Sequence, residues 1–184
     1  MKLARHILKR AGWTFKVMPN LPRKCVICVA PHTSNWDFIL GELAVRSVGM
    51  KASFLMKSTW FFFPMGVLMR HLGGIAVDRS GHTNVTGQVA QEFKQRDELL
   101  VAVTPEGTRS RNPNWHRGFI YIAQEANVPI VLAYIDYGTR EVCLDRIFIP
   151  TDDIEADMVA IKRYYAGHTG RFPEKFTTGL DDEA

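Results

Sequence analysis

The sequence predicts a layered α/β domain in which helices flank a mixed, largely parallel sheet. A chain of 184 residues with 46% hydrophobic residues is large enough to build one substantial core. Apolar, strand-like runs alternate with helical segments, which is typical of a parallel sheet. The last two strand-like runs are separated only by Gly138-Thr139-Arg140, which favours an antiparallel hairpin and therefore a mixed sheet.

The predicted elements fill most of the chain, and we take residues 1–184 as a single domain. The predicted strands, rich in β-branched and other apolar residues, cover 24–30, 52–56, 75–78, 99–103, 130–137 and 141–148. The predicted helices cover 35–48, 60–71, 83–96, 117–126 and 152–165. The polar segment 172–184 is predicted to be a flexible tail.

The N-terminal segment 1–12 is predicted to contain a basic amphipathic helix over residues 2–11. Its apolar residues fall within one arc of about 140°, and basic residues fill the opposite side. Such a helix could dock on the core of the domain or lie on an anionic lipid surface. The sequence leaves both arrangements open.

Composition narrows the class of protein. No secretory signal is visible, and the longest apolar run, 59–69, is far shorter than the ~20 residues of a membrane-spanning helix. The net charge of +4 suits nucleic acid, an anionic membrane surface or phosphorylated substrates. The three cysteines suggest no disulfide framework, so we expect a cytoplasmic protein.

Cys25 and Cys28 form a C-x-x-C pattern inside a predicted strand. An offset of three residues on a strand turns the two side chains to opposite faces of the sheet. We therefore expect both to be buried as small hydrophobic residues, and we predict no metal site.

Polar clusters follow three of the predicted strands. They are His32 to Asp37, Asp78-Arg79-Ser80, and Thr104 to Arg111. Because the carboxyl ends of parallel strands meet at one edge of a sheet, these clusters are expected to converge there on one site.

His32 and Asp37 are the candidate catalytic pair. A carboxylate that fixes the imidazole tautomer makes a histidine a general base for activating a hydroxyl group. Five residues of a regular helix would rotate the two about 140° apart, so His32 must lie in the loop and Asp37 in the first helical turn. Ser34 suits the N-cap, so Asp37 could instead merely complete a capping box, or use its two oxygens for both roles.

Glu106-Gly107-Thr108-Arg109 predicts a tight turn, in which Gly107 permits a positive φ and Arg109 offers a planar fork to a phosphate. Arg79 and Arg109 at neighbouring strand ends suggest an anion subsite for a phosphorylated alcohol. The alternative is an ordinary turn with solvated arginines.

The aromatic run Trp60-Phe61-Phe62-Phe63 is apolar on every side. We expect it to be buried in the core. An acyl-chain groove or an edge that dips into a membrane is the functional alternative.

Taken together, the segments over residues 24–135 resemble the glycerophospholipid acyltransferase superfamily, specifically its lysophosphatidic acid acyltransferase group. His32 to Asp37 matches the family's H-x4-D block, and Pro105 to Ser110 matches its most specific block. Leu72 to Arg79 and Val128 to Val131 resemble two further blocks. The resemblance also implies an α/β acyltransferase fold.

The resemblance implies the roles of the site residues. His32 would take a proton from an acceptor hydroxyl while Asp37 orients the imidazole, and the oxygen would attack an acyl thioester. The residues implied to bind the acceptor and its phosphate are Arg79, Glu106, Gly107, Thr108 and Arg109. Lys57 and Ser110 are accessory positions.

The implied reaction moves a fatty acyl group from acyl-CoA or acyl carrier protein to a lysophospholipid, most simply 1-acylglycerol-3-phosphate, in phospholipid biosynthesis. It needs no cofactor, and it places the protein on the inner face of the cell membrane. Ala76, Thr104 and Leu132 depart from the family's pattern, so a lyso-aminolipid acceptor stays open. The sequence is also compatible with a thioester or lipid hydrolase, and with a non-enzymatic basic module that binds lipid or nucleic acid.

Overall fold

Helices cover both faces of a seven-stranded mixed sheet in the computed structural model, which describes residues 1–78 and 84–180. The strands are β1 (Thr14–Val17), β2 (Lys24–Ala30), β3 (Ser53–Lys57), β4 (Gly74–Val77), β5 (Leu99–Val103), β6 (Ile130–Asp136) and β7 (Glu141–Phe148). The helices are α1 (Lys2–Arg10), α2 (Asn35–Ser47), α3 (Met65–His71), α4 (Val85–Gln95), α5 (Gly118–Ala126) and α6 (Ile154–Tyr165). Short 3₁₀ helices cover Ser58–Trp60 and Pro173–Lys175.

The strand order is β1-β7-β6-β2-β5-β3-β4. Strands β2 to β6 run parallel, and β7 returns antiparallel to β6, so the predicted mixed, largely parallel sheet is confirmed. Strand β2 lies between β5 and β6, with Cys28 opposite Val103 and Ala30 opposite Tyr134. The loops that follow β2, β5 and β6 therefore leave the sheet side by side at one edge.

Strand β2 contributes to the hydrophobic clusters on both faces of the sheet, because its side chains alternate between the two faces. Val26 and Cys28 face the layer of α4, α5 and α6, whereas Cys25 and Ile27 belong to the cluster on the other face. The prediction that Cys25 and Cys28 are buried on opposite faces is confirmed. Burial raises the pKa of each of these two thiols to about 12, so both stay protonated and unreactive at neutral pH.

Helix α1 docks on α2. Ala4 and Leu8 are buried, and Leu8 packs in one cluster with Leu40 and Ala44 of α2. The structure thus shows the docked arrangement, yet Leu3 and Ile7 remain exposed, at 72% and 42%. Among the described residues, no helix is long and apolar enough to cross a bilayer.

Two elements of the structure differ from the sequence-based prediction. The helix predicted over 60–71 is wrong in its first half, because α3 begins only at Met65, directly after Pro64. Proline lacks the backbone N–H that a helix interior needs, so the helix starts beyond it. Strand β1 is absent from the prediction, because four residues that alternate between exposed and half-buried carry too short a pattern.

The segment 172–180 contacts the domain. The Phe172 N–H donates to Thr33 Oγ1 at 3.2 Å, and the Trp115 indole N–H donates to the Thr177 carbonyl oxygen at 3.0 Å. The mobility predicted for 172–184 is a separate property and stays a prediction, and residues 181–184 lie outside the described residues.

Candidate active site

The loop between β2 and α2 holds the candidate base. Ser34 is the N-cap of α2, and its hydroxyl oxygen accepts the Trp36 N–H at 3.2 Å. Asp37 completes the capping box by accepting the Ser34 N–H at 2.9 Å. His32 lies just before this junction, as the helix geometry required.

Asp37 also orients the imidazole of His32. The His32 Nδ1 lies 3.3 Å from Asp37 Oδ2, and that same oxygen accepts the N–H groups of Thr33 and Ser34. Both the capping role and the orienting role therefore fall on one oxygen. The other oxygen, Oδ1, accepts the Tyr137 hydroxyl at 2.8 Å. Because Nδ1 faces the carboxylate, Nε2 is the nitrogen that can serve as the base.

Tyr137 is a functional candidate that the sequence motifs do not include. Its hydroxyl donates to Asp37 Oδ1, whereas His32 faces Oδ2. Burial and the hydrogen bond to Asp37 both raise the pKa of Tyr137, so the phenol stays a donor at neutral pH. Its position directly after β6, at the edge that carries His32, is the signal that could have identified it.

Glu106 forms a hydrogen bond with the backbone of His32. Its side chain is buried, and Oε1 accepts the His32 backbone N–H at 2.6 Å. Burial raises the pKa of Glu106 to about 8, with the Asp37 charge adding to the rise and the His32 hydrogen bond opposing it. The contact that the Glu106 carboxyl group makes in the structure is therefore to the backbone of the loop that carries His32.

The turn after β5 brings Arg109 to the same edge. Gly107 has φ +68°, and a Cβ there would collide with the ring of His116, so glycine is required. Thr108 Oγ1 accepts the Ser110 N–H at 3.2 Å, which tightens the turn. The Arg109 guanidinium donates to the side-chain oxygen of Asn35 at the start of α2.

A second imidazole–carboxylate pair lies at this edge of the sheet. His168 Nδ1 is 3.2 Å from Asp136 Oδ2, and the His168 ring stacks on Tyr134 at 4.1 Å between centroids. Burial opposes the ionisation of Asp136, but hydrogen bonds from Thr139, His168 and Gly138 outweigh it and lower its pKa. Asp136 thus accepts several hydrogen bonds, and its contact with His168 holds the segment between α6 and Arg171 against the end of β6.

The remaining predicted residues are Lys57, Arg79 and the aromatic run over residues 60–63. Lys57 ends β3 as an exposed side chain, and Arg79 lies outside the described residues. The burial expected for the aromatic run is wrong: Trp60, Phe62 and Phe63 are 55%, 57% and 86% exposed. They follow β3 and so project from the edge of the sheet that also carries His32.

The fold and the His32–Asp37 pair define an α/β domain with an imidazole–carboxylate pair at the carboxyl end of a parallel strand. A family model described as Acyltransferase matches residues 13–136. The chain belongs to this acyltransferase family, as the H-x4-D and Pro105 to Ser110 motifs predicted.

The chain is similar to one curated protein in sequence and to one solved structure in fold. A "Probable 1-acyl-sn-glycerol-3-phosphate acyltransferase" of Mycoplasma pneumoniae is 30% identical over 126 residues, which are 61% of this chain and 44% of that protein. The chain thus spans less than half the length of this curated relative. The crystal structure of the 1-acyl-sn-glycerophosphate (LPA) acyltransferase PlsC from Thermotoga maritima has the same fold, with a TM-score of 0.56 and 19% identity. That match covers 89% of this chain and 77% of the other.

Proposed function

We propose that this protein is an O-acyltransferase that moves a fatty acyl group from an acyl thioester to the hydroxyl of a lysophospholipid, most simply 1-acylglycerol-3-phosphate. The observation that carries this proposal is the His32–Asp37 contact of 3.3 Å at the carboxyl end of β2. Family membership and the M. pneumoniae relative support the choice of reaction and acceptor.

The neighbouring hydroxyl groups indicate that the nucleophile comes from the substrate. Ser34 Oγ accepts a helix N–H, and Thr33 Oγ1 accepts the Phe172 N–H, so both support the loop itself. In the proposed reaction, His32 Nε2 takes the proton of the acceptor hydroxyl as its oxygen attacks the thioester carbonyl. The carbon–sulfur bond breaks, and the thiolate of CoA or acyl carrier protein leaves. Asp37 stabilises the imidazolium that forms.

Product analysis tests the proposal against hydrolysis. The purified protein is incubated with acyl-CoA or acyl carrier protein and a panel of lysolipids, and the products are identified by mass. We expect a diacyl product that requires a lysolipid acceptor. Free fatty acid formed at the same rate with or without acceptor would show that water is the acceptor and that the protein is a hydrolase.

Arg109→Ala should raise the KM for a phosphorylated acceptor about tenfold, because the guanidinium offers paired donors to a phosphate. Steady-state kinetics with 1-acylglycerol-3-phosphate and with a lyso-aminolipid would measure this. The KM for the acceptor that lacks phosphate should stay the same. An equal change with both acceptors would assign Arg109 to loop structure through Asn35 instead.

The exposed aromatic residues support binding at the inner face of the cell membrane. Trp60, Phe62 and Phe63 project from the sheet edge that carries the dyad, and the exposed Leu3 and Ile7 lie on a basic helix. A lipid acceptor could then reach the site without leaving the bilayer surface.

The double variant Phe62→Ser/Phe63→Ser should weaken binding to anionic phospholipid vesicles about tenfold, as measured by co-sedimentation, because it removes apolar surface that would enter the lipid. The matched control is Ile149→Ser, because Ile149 is 65% exposed and follows β7 at the opposite edge of the sheet. We expect the control to bind vesicles like the parent protein. An equal loss of vesicle binding in the control and the double variant, or no loss in the double variant, would exclude a specific role of Phe62 and Phe63 in membrane binding.

A further inference from the structure

An apolar groove between α1 and α2 ends at the candidate active site. It has a volume of about 220 Å³. It is lined by apolar side chains of both helices, among them Ile7, Ala11, Trp36 and Ile39, and Tyr137 and Arg171 also line it. Tyr137 connects it directly to the dyad, because its hydroxyl bonds Asp37.

Arg171 supplies a positive charge where the groove meets the dyad. Its guanidinium carbon lies 5.5 Å from the ring centre of Trp36 and 5.7 Å from that of Phe172. It also interacts with the Tyr137 hydroxyl and favours its ionised form. Arg171 is exposed, so an anion can reach it.

The segment that carries Arg171 is built into the site. Gly170 packs on the loop of His32: a Cβ there would lie 2.9 Å from side-chain atoms of Thr33 and 3.2 Å from Pro31 Cβ. On the other side, Arg109 bonds Asn35 while Arg171 lies over Trp36, so two arginines flank consecutive residues at the start of α2. These two helix residues lie within one turn of the dyad carboxylate.

We propose that this groove binds the acceptor lysolipid, with its single acyl chain between α1 and α2 and its phosphate held by Arg171 together with Arg109, the other arginine beside the start of α2. This inference rests on the proposed function and names the site for its acceptor. The groove is smaller than the roughly 300 Å³ of typical small-molecule pockets, so it has room for a segment of one acyl chain and none for the nucleotide of CoA. An apolar groove that also carries an arginine complements a single-chain lipid with an anionic head group.

The first arm of the test removes the charge. Arg171→Ala should raise the KM for 1-acylglycerol-3-phosphate about tenfold and leave the KM for acyl-CoA unchanged. The acceptor KM of Arg171→Lys should lie between that of the parent protein and that of Arg171→Ala. The control is Arg163→Ala, because Arg163 is exposed on α6, on the opposite face of the sheet. An unchanged acceptor KM in Arg171→Ala would overturn the phosphate assignment.

The second arm fills the groove. Ala11 follows α1 as its exposed C-cap, and Ala11→Trp should raise the KM about tenfold for a long-chain acceptor but not for a short-chain one. Ala166→Trp is the matched control, since Ala166 is the exposed C-cap of α6. A raised KM for acyl-CoA instead would assign the groove to the donor chain and overturn the inference.

Direct binding separates this inference from the proposed function. Trp13 and Trp36 line the groove, so tryptophan fluorescence should report binding of lysophosphatidic acid below its micellar concentration. We expect Arg171→Ala and Ala11→Trp to weaken that binding about tenfold even with no acyl donor present. If neither variant weakens the binding of lysophosphatidic acid and both still transfer acyl groups, the groove is not the acceptor site. The proposed function would stand in that case.

Discussion

His32→Ala should lower the rate of acyl transfer about a thousandfold, because removal of a positioned general base costs between about 10² and 10⁴ in rate. The loss should be in kcat, since the imidazole acts on the hydroxyl during the chemical step. Initial rates with saturating acyl-CoA and lysolipid would measure it. The fold should persist, because Asp37 keeps the N–H donors of Thr33 and Ser34 and the Tyr137 hydroxyl.

Two further variants make this result specific. His71→Ala removes an exposed imidazole at the end of α3 and should leave transfer unchanged. Asp37→Asn should lower transfer less than His32→Ala, because the amide oxygen can still accept from His32 Nδ1 while the negative charge is lost. It should also lower the free energy of unfolding by about 1 kcal/mol, as expected for a weakened helix cap. Retained turnover in His32→Ala would reject the mechanism.

The dyad could be predicted from the sequence because local patterns fix its position. The apolar run of β2 and the N-cap Ser34 place His32 and Asp37 on either side of a loop-to-helix junction. The turn at Gly107 follows β5, and the pairing of β2 with β5 brings it beside that loop. The strand order itself was not needed, since parallel strands end at a common edge.

The parts that sequence could not supply depend on tertiary contacts. Arg171 reaches the site only because Gly170 packs on Thr33 and His168 pairs with Asp136, and neither contact leaves a periodic trace in the sequence. The exposure of Phe62 and Phe63 is equally invisible, since an aromatic run looks alike in a core and at a surface. Likewise, the sequence allows the two oxygens of Asp37 to divide the capping and orienting roles, whereas in the structure the Tyr137 hydroxyl occupies Oδ1.

Glu106→Ala should lower kcat about 10- to 100-fold while leaving the acceptor KM unchanged. The substitution removes the acceptor of the His32 N–H and leaves a cavity where the buried Glu106 side chain was, and a small misplacement of a base can cost about 100-fold in rate. Steady-state kinetics over a range of acceptor concentrations would separate the two constants. Glu106→Gln should retain most of the activity, because its amide oxygen can accept the same N–H. A raised acceptor KM in Glu106→Gln would show instead the acceptor-binding role that the family resemblance implies.

Stability against pH gives an independent measure of the same carboxyl. The pKa of Glu106 is about 8 in the folded protein and 4.5 for an ordinary glutamate, so the folded state keeps a proton that the unfolded chain has already released. The free energy of unfolding should therefore fall as the pH rises from about 4.5 to about 8 and then level off. At about 1.4 kcal/mol for each pKa unit, the fall is on the order of 5 kcal/mol.

Glu106→Gln has no proton to lose at this position, so its unfolding free energy should lack this fall. Denaturant unfolding of both proteins between about pH 5 and pH 9 would measure this. The unfolding free energy of the variant should increase relative to that of the parent as the pH rises, with the largest difference above about pH 8. Parallel curves would mean that Glu106 titrates like a solvated carboxyl.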